Sequence, residues 1–130
     1  MNAPVVEDMD WLHRLDAAQW LSAARNELSQ SEDALSSGQA NKGMVLARRA
    51  AGMALNAVLT RRPAPSWKRS YMEHIDAVST GDGVPDEVAR AASVLAERAA
   101  QPLLKLGGGV SEGPARAAAV IVAWCAAEVE

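Results

Sequence analysis

The chain has 130 residues, a formal net charge of −3, 49% hydrophobic and 22% charged residues, and a single cysteine. That is enough apolar material for one domain core. It excludes the strongly basic character of a general nucleic-acid binder and any internal disulfide, and so predicts a cytoplasmic, reducing setting. The acidic start (Glu7, Asp8, Asp10) has no signal-peptide pattern, and the longest apolar run, Ala117 to Ala127, is far short of the roughly 18 residues a membrane helix needs, so no membrane partner is expected.

Residues 1–9 read as a flexible N-terminal arm and residues 10–130 as a single helical-bundle domain. A first helix is predicted from Trp11 to Leu35, with Asp10 as N-cap and Asp16 as a second position suited to that role. Its apolar stripe is Leu21, Ala24, Leu28 and Leu35. Ser36, Ser37 and Gly38 end it, and a second helix follows from Gln39 to Leu59 with Met44, Ala47, Ala51, Leu55 and Val58 on one side. The short link makes the two helices antiparallel neighbours, and Leu28 and Leu55 are predicted to be fully buried and to face one another.

Arg61, Arg62, Pro63 and Pro65 close the second helix, and a third is predicted from Ser66 as N-cap to about Val78, carrying Trp67, Tyr71, Met72, Ile75 and Val78. Pro85 suits the first position of a fourth helix with Val88, Ala91, Ala92, Leu95, Ala99 and Leu103, interrupted near its end by Pro102. Gly107 to Gly109 form a hinge, and Ser111 or Gly113 leads into the last helix with Pro114 near its start. No segment alternates like a strand. The prediction is an all-α fold, an up-and-down bundle of about five helices. Ala117 to Ala127 is apolar all round, which places that helix either at the centre of the bundle or against a second subunit; self-association through such a face is the expectation.

Chemistry is sparser. Arg69 and His74 are the residues for phosphate binding and proton transfer, but on one straight helix positions five apart are turned by roughly 140° from each other, which predicts an exposed arginine and a partly packed histidine. Arg61, Arg62, Lys68 and Arg69, interleaved with Trp67 and Tyr71, are the one local basic cluster, and they combine phosphate-binding charge with flat stacking surface. Arg61 and Arg62 also complement the dipole of the second helix, and Trp67 is also a core candidate. Lys105 to Gly109 reads as a hinge with an anion-binding nest as the alternative; the lysine precedes the glycines, unlike that of a phosphate loop. Two histidines and one cysteine do not supply a closed metal site, Cys125 lies in an apolar helix as a structural thiol, and no cofactor is predicted.

The run Trp20-Leu21-Ser22-Ala23-Ala24, with Glu27-Leu28, Ala34-Leu35 and Gly38, resembles the opening of HEPN domains (higher eukaryotes and prokaryotes nucleotide-binding). The alanine-rich second helix from Ala47 to Leu59 and the closing Ala118 to Trp124 are similar as well, with Gly52, Met53 and Asn56 where the family typically has glutamate and lysine. The resemblance implies a helical bundle that often dimerises. Many members are metal-independent RNases with an arginine and a histidine a few residues apart, a spacing Arg69 and His74 satisfy. Ser70 stands where asparagine commonly follows the arginine, and Asp76 where an aromatic is expected after the histidine. These departures point to the family's non-catalytic members, which bind nucleotides or partner proteins. The functional expectation is therefore a non-catalytic HEPN-like module binding a nucleotide or a partner protein as a homo-oligomer, with Arg61, Arg62, Trp67, Lys68, Arg69 and Tyr71 at the binding site and His74 dispensable for binding. The alternatives are a toxin-type RNase using Arg69 and His74, and a dimeric adaptor without a small-molecule ligand.

Overall fold

The computed structural model describes residues 10–81, 83–97 and 113–130, and among these every regular element is helical. A one-turn helix α1 (Asp10–His13) precedes α2 (Ala17–Ser36) and α3 (Ala40–Arg61). A 3-10 turn (Pro65–Trp67) leads to α4 (Tyr71–Ser79), followed by α5 (Asp86–Ala96) and α6 (Gly113–Val129). The all-α helical bundle expected from the sequence is present.

The predicted first helix is broken in two. Asp16, not Asp10, caps the long helix: its carboxylate accepts from the Gln19 backbone N–H at 2.8 Å, and Gln19 Oε1 accepts from the Asp16 N–H at 2.9 Å. This reciprocal pair satisfies donors that a helix start otherwise leaves open. The Trp20 indole N–H donates to the Leu12 carbonyl at 2.8 Å and so pins α1 across the break. At the other end Gly38 takes φ 82°, where a side chain would be strained, and lets Gln39 N–H return to the Ala34 carbonyl at 2.8 Å.

The turn folds α2 back along α3, and among the described elements these two helices make the most extensive contact. Leu55 is fully buried, but Leu28 is only half-buried at the edge of the core. Ser31 is the residue of that stretch turned fully inward, its hydroxyl donating to the Gly43 carbonyl at 2.7 Å.

The central helix is α3, buried without interruption from Ala50 to Leu59. Alanines at 47, 50, 51, 54 and 57 let α2, α4, α5 and α6 approach its axis from several sides. The all-round apolar α6 is not central. It packs on α3, α5 and α2 and leaves Ala123 and Ala127 exposed. Leu21, Leu55, Ile75, Leu95 and Ile121 form the fully buried centre. Arg48 closes the C-terminus of α5, donating to the Leu95 and Glu97 carbonyls at 2.8 and 2.7 Å. The predicted continuation through Ala99, Pro102 and Leu103, and the Lys105 to Gly109 segment, lie outside the described residues, as do residues 1–9 and Ser111.

Candidate functional site

Between α3 and α4 the chain departs from the single helix predicted from Ser66. Pro65, Ser66 and Trp67 form the 3-10 turn, and Lys68 ends it in a left-handed conformation at φ 58°. Ser70 then caps α4, its hydroxyl accepting from the Glu73 N–H at 3.1 Å while Glu73 Oε1 accepts from the Ser70 N–H at 3.0 Å. These bonds, with one from the Arg69 N–H, hold the Glu73 carboxyl below its ordinary pKa. Ser70-x-x-Glu73 is a capping-box pattern and was the available signal for this boundary.

The consequence is that Arg69 and His74 do not lie on one helix, and the 140° separation does not apply to them. Arg69 precedes α4 and is exposed, whereas His74 is completely buried rather than partly packed. His74 Nδ1 lies 2.7 Å from the Trp67 carbonyl and Nε2 lies 2.8 Å from the Asn56 side-chain amide. Burial lowers the histidine pKa from 6.5, outweighing the upward pulls of the Trp67 carbonyl and Glu73. A neutral ring has one N–H, and a carbonyl can only accept. In a neutral ring the proton that meets the Trp67 carbonyl sits on Nδ1; the atom that faces Nε2 is Asn56 Oδ1, and a half-turn of that amide puts its N–H there as the donor. His74 ties the 3-10 turn and α4 to α3; with both nitrogens engaged and no exposed edge, it cannot hand a proton to a ligand in this conformation.

What Arg69 meets instead is Trp11. Its guanidinium carbon lies 5.2 Å from the centre of the Trp11 ring, within cation–π distance. The same indole stacks against His74, with ring centres 6.3 Å apart and planes inclined by 30°. Its Nε1–H is buried with no acceptor among the described residues. Arg14, the residue after α1, donates from Nε to the Trp11 carbonyl at 3.4 Å.

A Cβ on Gly52 would overlap the Tyr71 side chain, so the missing side chain on α3 is what lets the phenol ring pack there. Burial raises the Tyr71 pKa above 10.0 despite the opposing charges of Arg49 and Arg14, so the hydroxyl stays protonated and able to donate. Arg49 is held by Glu27 at 2.7 Å. Trp11 is thus met by Arg69 and Arg14, and the charges of Arg14 and Arg49 are both felt at Tyr71. Only Arg69 and Tyr71 were candidates from the sequence; the other three are separated from them by more than a helix length, and no local pattern marks them.

The rest of the predicted cluster is dispersed. Trp67 is buried with 3% exposure and has no face to offer a base. Arg62 is committed to α6, its guanidinium 2.9 Å from Glu128 and 5.6 Å from the centre of the Trp124 ring. Arg61 and Lys68 are exposed. A cleft of about 260 Å³ is lined by Val58, Arg62, Pro63, Ala64, Ser66, Trp67 and Gly83. It is small for a ligand pocket.

Cys125 is fully buried, and burial raises its pKa strongly, as expected of a structural thiol. Among the described residues no three His, Cys, Asp or Glu side chains gather as a metal site, and no helix is long and apolar enough to cross a membrane. No protein-family model, curated protein or solved structure matches this chain.

Proposed function

We propose that this chain is a non-catalytic, HEPN-like helical module that binds a nucleotide at the Trp11–Arg69–Tyr71 corner and works as a homodimer. The observation that carries the reading is the position of Arg69 over Trp11, with Arg14 and Arg49 around Tyr71. Guanidinium groups are suited to phosphate oxygens, Trp11 holds Arg69 in place, and the Tyr71 phenol supplies an aromatic ring and an O–H donor for the rest of a nucleotide.

The buried, doubly bonded His74 favours binding over RNA cleavage by an Arg69–His74 pair, since a general acid or base must reach the proton it transfers. Titration with ATP and with inorganic phosphate, followed by calorimetry, tests the reading. Arg69→Ala is expected to weaken ATP binding by about tenfold, the scale of one charge-assisted contact. Absence of ATP binding by the parent protein would overturn the nucleotide assignment. Cleavage of RNA in the presence of chelator, lost in Arg69→Ala, would replace it with the nuclease reading.

A further inference from the structure

Among the described residues Gly38, Gly81 and Gly83 have a positive φ, and one residue with a side chain joins them. That residue is Lys68, at φ 58° and ψ −143°. Its ψ takes it out of the left-handed well near ψ about +45° and towards backbone that glycine alone adopts freely. A side chain placed there is strained, and such strain persists only where the surroundings hold it. Lys68 is exposed, so its own packing does not supply the hold.

The flanking residues do. On one side Trp67 is buried and its carbonyl lies 2.7 Å from His74 Nδ1, while His74 Nε2 faces Asn56 of α3 at 2.8 Å. The peptide joining Trp67 to Lys68 is thereby fixed at both ends, its carbonyl by the histidine and its N–H by the Pro65 carbonyl at 3.1 Å. On the other side Ser70 is locked into the start of α4 by its reciprocal bonds with Glu73. Lys68 and Arg69 alone connect these two anchors, which leaves the chain little choice of path.

Arg69 leaves this turn with its guanidinium carbon 5.2 Å from the centre of the Trp11 ring, and the same ring stacks on His74 at 6.3 Å. One histidine therefore touches both halves of the contact. It bonds the backbone that carries the arginine, and it packs against the ring the arginine lies over. We propose that His74 is a positioning residue for the nucleotide site, holding the Trp67 carbonyl so that the strained Lys68 backbone sets Arg69 over Trp11. The inference rests on the nucleotide reading above, and it gives a role in binding to a histidine expected from the sequence to be dispensable. A lysine at 68 makes the turn conditional: without the hold of His74 the strain drives the backbone away and takes Arg69 with it. A glycine has no such drive, because the same conformation carries no steric penalty for it.

Lys68→Gly is therefore expected to melt above the parent, since relief of strain outweighs the greater freedom of glycine in the unfolded chain. His74→Phe keeps a ring against Trp11 but loses the bond to the Trp67 carbonyl. It is expected to weaken ATP binding by about tenfold, and to remove the ring-current shift that Trp11 imposes on the Arg69 Nε–H signal in heteronuclear NMR spectra. Adding Lys68→Gly to His74→Phe is expected to recover about fivefold in affinity and to return the shift. A histidine that merely stabilised the fold would not have its binding loss repaired at residue 68. Ser70→Ala, which loosens the opposite anchor at the surface, should show the same pattern on a smaller scale, and decides the matter if His74→Phe does not fold. A Lys68→Gly chain that melts below the parent, an Arg69 signal unmoved by His74→Phe and Ser70→Ala, or double variants no better than the single ones would overturn the proposal. If the parent binds no ATP, the nucleotide reading fails instead, and the melts and the Arg69 signal still decide the positioning.

Discussion

Among the described residues two arginines lie over tryptophans, and their surroundings differ. Arg62 over Trp124 is closed off by Glu128 at 2.9 Å, so the pair joins the end of α3 to α6 with its charge balanced on the spot. Arg69 over Trp11 lies in a corner that Arg14 and Arg49 also enter. Two carboxylates there are engaged elsewhere: Glu27 with Arg49, and Glu73 with the backbone N–H groups that begin α4. The same contact thus serves as a brace in one place and as part of a basic, aromatic surface in the other.

The largest effect is expected at the residue beneath the second pair. His74→Ala removes a buried ring and leaves the Asn56 amide and the Trp67 carbonyl without their partner. It is expected to lower stability by about 3 to 5 kcal/mol, measured by denaturant unfolding. If stability is unchanged, the ring does not anchor the 3-10 turn, and the contrast between brace and surface loses its foundation. The parent chain should also lose stability in acid for the same reason. The folded pKa of His74 lies below 6.5, so the unfolded state takes up the proton first. The contribution is complete above pH 6.5 and declines as the pH falls from there towards the folded pKa. In a His74→Gln chain that part of the pH dependence should disappear.

Gly52→Ala comes next. The added methyl meets the Tyr71 ring, and overpacking of this kind costs about 1 to 3 kcal/mol. It should also weaken ATP binding by displacing Tyr71 from the corner, while the Arg62–Trp124 side is untouched. Arg69→Ala is expected to lose about 1.4 kcal/mol of ATP binding with little change in melting temperature. Smallest is Arg62→Ala. An exposed ion pair with a cation–π contact contributes up to about 1 kcal/mol to stability, and ATP affinity should stay at the parent value. Equal losses of ATP binding in the Arg62 and Arg69 variants would erase the distinction between the two pairs.

The sequence by itself determined the helical class, the α2–α3 hairpin and most of the core, because each rests on local rules. Apolar residues recur at three and four, a glycine stands where the turn needs a positive φ, and proline cannot continue α3. Local rules also hold the caps at Asp16 and Ser70, although competing caps at Asp10 and Ser66 obscure them. Tertiary structure alone decided which apolar helix is central. The last helix read as apolar all round, yet it is α3 whose small residues admit neighbours on several sides, whereas α6 is packed on part of its circumference and leaves Ala123 and Ala127 in the open. It also decided the depth of Leu28, the burial of His74 and Trp67, and the meeting of Trp11, Arg14 and Arg49 with Arg69 and Tyr71. These depend on how close one helix comes to another, and on which charges find partners there. Neither is written in the spacing of residues along a single helix.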